Sequence, residues 1–272
     1  MKQRILSGAI LVLFFVAVIV FNRSFPLALT IAVALISAVA VMELIKALGV
    51  TRKWFLAGPS LIAAAIPFCN HDMEFLVYAL FTLVVFSAMI VYHEETTFKE
   101  VGVLYSMVIL IPSALQTLVS LRDLNQDHGM FYVFIAVLSA WAADVGAYFA
   151  GTFFGKHKLC PTISPKKTVE GAVGGVIVDV LVMLLCGVLF SQAFYQGQVQ
   201  VNYLVLLIIG LFGSVLSILG DLSFSIIKRS CHIKDFGQVI PGHGGILDRF
   251  DSVIFTAPFV YLLVGFLPLV GA

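Results

Sequence analysis

The sequence is dominated by long uninterrupted apolar stretches, set apart by short segments that hold nearly all the charge. A spanning helix needs about 20 mostly apolar residues, with a range of roughly 17 to 25. Nine stretches are candidates: Ile5–Phe21, Pro26–Ile45, Trp54–Phe68, Phe75–Val91, Val101–Val119, Met130–Ala150, Gly171–Phe190, Tyr203–Leu219 and Val253–Val270. The third is short and carries Pro59 and Pro67, which makes it the weakest. Pro112 in the fifth is tolerable, because neighbouring helices re-satisfy a freed carbonyl. A membrane β-barrel would show shorter alternating segments, and there are none. The expectation is an all-α, polytopic integral membrane protein with about nine transmembrane helices.

Composition narrows the reading further. Of 272 residues, 61% are hydrophobic and 11% charged, with a formal net charge of +1. Soluble domains carry about a quarter charged residues. A soluble enzyme, a disordered chain and a collagen-like fibre are therefore excluded, and a nucleic-acid binder would need a basic excess. The first span is read as retained. Its apolar run is longer than a signal peptide requires, and Phe21-Asn22-Arg23 is no cleavage site.

Loop charges give an orientation. With a cytoplasmic N-terminus, Lys2, Arg4, Lys46, Arg52, Lys53, Lys99, Lys156, Lys158, Lys166, Lys167, Lys228, Arg229, Lys234 and Arg249 share one side, and only Arg23 and Arg122 lie on the other. The positive-inside rule puts the larger set in the cytoplasm; the location expected is an inner (cytoplasmic) membrane. The cysteines Cys69, Cys160, Cys186 and Cys231 form no C-x-x-C pair, so no disulfide or zinc site is expected. By information content, residues 1–129 are N-terminal helices without motifs. Residues 130–272 form a catalytic region with cytoplasmic loops 151–170 and 220–252.

The charges cluster in those two loops. Asp221, Lys228, Arg229, Lys234, Asp235, Asp248, Arg249 and Asp251 fall within 31 residues, beside Gly242-His243-Gly244-Gly245. The other loop holds Lys156, Lys158, Lys166, Lys167 and Glu170. Ordinary positive-inside loops explain the lysines, but not the acids and glycines. Asp144 lies inside the sixth span near its cytoplasmic end, and an acid in a span usually faces a cavity or partner. Asp179, deeper in the seventh, is expected to pair with a neighbouring helix and has no assigned role. Asp248 and Asp251 are three apart, which on a helix puts both on one face. Carboxylates gathered at an interface repel unless a cation lies between them. Mg²⁺ takes one or two carboxylates plus substrate phosphates. Lysine and arginine neutralise phosphate, and glycines let backbone approach an anion. Together these point to metal-assisted phosphoryl or nucleotidyl transfer. No Walker A pattern is present.

Ser225-Ile-Ile-Lys-Arg229, Lys234-Asp235-x-Gly237, Ile240-Pro-Gly-His-Gly-Gly-Ile246 and Asp248-Arg-Phe-Asp251 together resemble the signature of the phosphatidate cytidylyltransferase (CDP-diacylglycerol synthase) family. Phe154-Gly-Lys-His-Lys-Leu159 and Ser164-Pro-Lys-Lys-Thr168-x-Glu170-Gly171 resemble its other cytoplasmic loop, and the segment around Asp144 fits more loosely. The resemblance covers about the last half of the chain. It implies transfer of a cytidylyl group from CTP to phosphatidate in the bilayer, releasing pyrophosphate. It also implies Mg²⁺ on Asp221 and Asp248, with potassium as a second cation. Lys167, Asp144 and Asp251 are the further catalytic candidates. Ser164, Lys166, Thr168, Glu170, Lys228, Arg229, Lys234, Asp235, His243, Gly244, Gly245 and Arg249 are the substrate-binding candidates. Thr168, three residues before Gly171, also reads as a helix cap, and Asp235 beside Lys234 as a loop ion pair. A homodimer is expected by analogy only. A transporter would show mid-membrane polar sites and repeats, and a CDP-alcohol phosphotransferase a D-G-x-x-A-R run; neither is seen.

Overall fold

A computed structural model describes residues 13–22, 24–240 and 244–271. Among the described residues the fold is all-α apart from two small hairpins, and the chain is a polytopic membrane protein. Among the described residues, seven helices are long and apolar enough to cross a membrane. Two shorter apolar helices, Leu13–Asn22 (α1) and Trp54–Phe68, accompany them. The first expected span lies partly outside the described residues. The third is broken as its prolines suggest: α3 (Trp54–Ala63) contains Pro59, and a separate 3₁₀ turn, Ile66–Phe68, carries Pro67. A proline cannot donate to the preceding turn, so the segment does not continue as one helix.

The chain forms two compact units. The first comprises residues 1–119 and 230–250. Its helices are α1, α2 (Leu27–Ala47), α3, α4 (His71–Val91), most of α5 (Phe98–Asp123) and the short α9 (Leu247–Phe250). In α2, Ala40, Val41, Leu44 and Ile45 are buried on successive faces, so this helix is the unit's core. By contrast, α4 exposes Phe75, Leu83 and Ile90, as a lipid-facing helix should. Polar side chains tie these helices together. Tyr78 donates to the Ile109 carbonyl at 3.1 Å, Gln116 to the Cys69 carbonyl at 3.1 Å, and Lys53 pairs with Glu100 at 2.8 Å.

The second unit comprises residues 120–229 and 251–272. It holds α6 (Gly129–Phe154), α7 (Val169–Val188), α8 (Tyr203–Ser230) and α10 (Val253–Phe266). Small residues let α6 and α7 pack backbone to backbone. A Cβ on Gly175 would lie 2.8 Å from the Ala143 carbonyl oxygen, and one on Gly171 2.8 Å from that of Ala147. Close approach through small residues drives helix association where lipid is as apolar as the side chains. The α6–α7 link is an antiparallel hairpin of β1 (Lys158–Cys160) and β2 (Ser164–Thr168), pairing Lys158 with Thr168 and Cys160 with Ser164. A second hairpin, β3 (Gln200–Val201) with β4 (Val270–Gly271), ties the chain end to the start of α8. The four cysteines are free.

Candidate active site

Helix α8 is largely apolar, with one polar line running along it. Ser214, Ser217, Asp221, Ser225 and Lys228 recur every three or four residues and so share a face. Gly220 sets what that line meets. A Cβ there would lie 2.6 Å from the Asp251 carbonyl oxygen and 3.1 Å from the Ser252 Cα. The missing side chain therefore lets α8 press against the 251–252 turn, with Asp221 beside the contact. Ser225 donates to Asp221 Oδ1 at 3.3 Å.

Asp144 enters from α6. Its carboxylate accepts the Ser217 hydroxyl at 3.0 Å and the Ser252 hydroxyl at 3.2 Å. Both serines are buried, so the acid is held by donors that water does not reach. Helix α6 continues to Phe154. Asp144 therefore sits ten residues, roughly 15 Å, from its end. Asp251 is buried, and its Oδ1 accepts the Ser252 amide at 2.9 Å. That local bond accompanies the end of α9 at Phe250. Asp248 lies within α9, and Asp251 just beyond its end.

Lys167 reaches the cluster from β2, with its Nζ 2.6 Å from Asp221 Oδ2. The two side chains keep 22% and 30% exposure, so the pair is accessible while the flanking serines are not. Asp144, Asp221 and Asp251 are mutually close enough to repel, and Lys167 and Lys228 oppose that repulsion. Carboxylates gathered in this way repel, and a further cation between them would relieve that repulsion. Among the described residues, no group of three or more His, Cys, Asp or Glu side chains is placed to hold a metal ion by itself. Mg²⁺ asks for less, because one or two carboxylates suffice when phosphates and water complete the shell. The all-oxygen donor set of Asp221 with Asp144 or Asp251 suits it.

The hairpin residues divide by role. The Thr168 side chain accepts the Gly171 amide at 3.1 Å and caps α7. Glu170 accepts the Lys156 amide at 3.0 Å and the His157 ring nitrogen at 2.6 Å, which binds the loop to the helix start. Ser164 is half-buried in β2, and Lys166 is exposed. Arg229 is exposed at the end of α8, whereas Lys228 is buried. Asp179 is fully buried and accepts the Ser139 hydroxyl at 2.8 Å, a pairing between α7 and α6.

In the first unit, two backbone amides converge on Asp248. Its Oδ2 accepts the Phe236 amide at 2.8 Å and the Gly245 amide at 2.9 Å. Gly244 takes a φ of +88°, open to glycine at little cost, while its carbonyl accepts the Ile240 amide at 3.0 Å. Lys234, Asp235 and Arg249 are exposed on this segment, and Asp235 makes no ion pair with Lys234. His243 lies outside the described residues. Sequence reasoning missed Glu43 of α2, which is buried and accepts the Ile246 amide at 3.1 Å and the Leu247 amide at 2.8 Å. It also missed Ser217 and Ser252. The serine period on α8 was a usable signal for Ser217. Glu43, a lone acid at the end of an apolar run, signalled only that it needed a partner.

Comparison with known proteins agrees with the motif resemblance. The sequence profile described as "Cytidylyltransferase family" matches residues 2–267. A phosphatidate cytidylyltransferase of Bacillus subtilis (strain 168) is 35% identical over 275 residues, covering 97% of each chain. Phosphatidate cytidylyltransferases of Staphylococcus haemolyticus (strain JCSC1435) and Staphylococcus aureus (strain COL) are 42% and 41% identical over 140 residues. In each case that is 52% of this chain and 51% of the relative.

Proposed function

The chain belongs to the cytidylyltransferase family and is a nucleotidyltransferase; from that premise we propose that it transfers the cytidylyl group of CTP to phosphatidate. The observation that carries this reading is the cluster of Lys167, Asp221, Asp144 and Asp251, assembled by otherwise apolar helices. The products are CDP-diacylglycerol and pyrophosphate. We place the site at the cytoplasmic face, with the N-terminus on the same side, on the strength of the basic-residue asymmetry.

The reaction is an in-line displacement. A phosphate oxygen of phosphatidate bonds to the α-phosphorus of CTP, and the bond from that phosphorus to the bridging oxygen of pyrophosphate breaks. The attacking monoester is already anionic near neutral pH, so it needs charge neutralisation and placement more than a base. Lys167, accessible beside Asp221, is positioned to exchange its carboxylate partner for a substrate phosphate. Lys166 and Arg229, both exposed, supply further positive charge to the triphosphate or the lipid head. Ser217 and Ser252 fix Asp144, and Ser225 orients Asp221. Mg²⁺, held by Asp221 with a neighbouring carboxylate, would offset charge on the CTP phosphates. Asp248, which the signature assigns to the metal, is proposed to act from its own loop, and potassium remains the second cation implied by the resemblance.

The test is direct. Detergent-purified protein is incubated with phosphatidate, labelled CTP and Mg²⁺, and the lipid phase is assayed for a cytidine nucleotide and the aqueous phase for pyrophosphate. Both are expected; absence of both overturns the reading. Replacing phosphatidate with other lipid phosphates in the same assay defines the acceptor.

A further inference from the structure

Glu43 belongs to no motif and sits in a helix whose only other charged residue is Lys46. It is 2% exposed. A carboxylate taken out of water is costly unless its oxygens are hydrogen-bonded. Here each oxygen has a donor: Oε1 accepts the Ile246 amide at 3.1 Å and Oε2 the Leu247 amide at 2.8 Å. Both donors lie in the glycine-rich signature loop, some two hundred residues away in sequence.

The loop is shaped to receive this side chain. A Cβ on Gly237 or on Gly245 would run into the Glu43 carboxylate. At Gly237 all three of the nearest atoms belong to Glu43. The loop thus keeps two bare backbone positions against one acid. Asp248 holds the same loop from within, through the Phe236 and Gly245 amides. Two carboxylates therefore bind four amides, those of Phe236, Gly245, Ile246 and Leu247. Without such clamps, and apart from the Ile240–Gly244 bond, a segment with glycines at 237, 244 and 245 has little to fix its backbone. Charge-assisted bonds to backbone N–H groups are the stronger kind.

We propose that Glu43 is a positioning residue for the transfer reaction: it sets the backbone of Gly245–Leu247, and through it the placement of Asp248. This inference rests on the proposed cytidylyl transfer for its activity arm, but not for its structural arm.

The experiment compares Glu43→Ala, Glu43→Gln, Gly237→Ala and the Glu43→Ala/Gly237→Ala double variant in detergent. Two readouts are taken: phosphatidate turnover, and peptide-level hydrogen–deuterium exchange. E43A is expected to lower kcat tenfold or more and to speed exchange in 236–247, with α6 and α8 unchanged. E43Q should fall between E43A and wild type, because its one carbonyl oxygen accepts one amide. G237A should lower kcat by displacing the carboxylate. In the E43A background it should add less than twofold, because the obstructing group is gone. Turnover of E43A within twofold of wild type overturns the proposal. So does faster exchange spread through all helices, or full additivity in the double variant. If E43A does not fold, E43Q and G237A decide by the same criteria. If wild type itself makes no product, the functional reading fails. Exchange at 236–247 then judges the clamp by itself.

Discussion

Lys167 and Asp221 form an ion pair, Nζ to Oδ2 at 2.6 Å, joining the hairpin strand β2 to helix α8. Both remain partly exposed, unlike the serines around them. The value of this pair lies in its reversibility, because an exposed ion pair contributes little to stability, about 0–1 kcal/mol. Lys167→Met and Asp221→Asn should each cut turnover by roughly 100-fold or more, the scale of losing one preorganised charge partner. Thermal unfolding in detergent should stay close to wild type. Near-normal turnover in D221N would remove Asp221 from the metal.

Asp144 accepts two buried hydroxyls, from Ser217 and Ser252. Hydrogen bonds to a charged group contribute about 1.5–3 kcal/mol each. Ser252→Ala should therefore lower kcat/KM about tenfold, the equivalent of roughly 1.4 kcal/mol. Asp144→Asn should lower it more. Steady-state kinetics on the two variants side by side check the order; a larger loss in S252A would reverse the roles assigned here.

Gly220 seats α8 on the 251–252 turn. Gly220→Val forces a side chain against backbone, where relief requires moving the helix. Overpacking of this kind costs about 1–3 kcal/mol. A lowered thermal midpoint with loss of activity is expected, measured by a detergent-compatible unfolding assay.

The proposed Mg²⁺ is open to removal. Chelation with EDTA should abolish product formation, and added Mg²⁺ should restore it. D221N should shift the Mg²⁺ concentration for half-maximal activity upward in any residual turnover. Activity indifferent to EDTA would exclude the metal-assisted reading.

Orientation is open to labelling. In a cysteine-free background, single cysteines at the exposed positions of Lys158 and Arg229 should react with a membrane-impermeant maleimide in inverted vesicles and not in right-side-out ones. The opposite pattern would turn the whole chain over.

Much of this was legible in the sequence because the governing physics is local. Apolar runs of bilayer length announce helices, and the prolines of the third run announce its break. Thr168 was readable as a cap from its spacing to Gly171, and it is one. Asp179 was readable as a residue in need of a partner on another helix, and Ser139 supplies it. What stayed hidden depends on distant pairing. Nothing near Glu43 in sequence points to Ile246 or Leu247. Nor does the three-residue interval between Asp248 and Asp251 reveal that α9 stops between them. Ser252 follows Asp251 in sequence, yet its importance comes from Asp144, which approaches on another helix.

The pairing lysine and the α7 cap are consecutive residues, Lys167 and Thr168. This makes the hairpin unequally tolerant of changed length. Residues added at its tip, between Cys160 and Ser164, would leave both strands in place, as loop tips generally allow. One residue added between Lys167 and Thr168 would turn the lysine to the opposite side of its strand, because side chains alternate. Natural or engineered variation in the length of this segment should therefore gather at the tip and stop short of the helix.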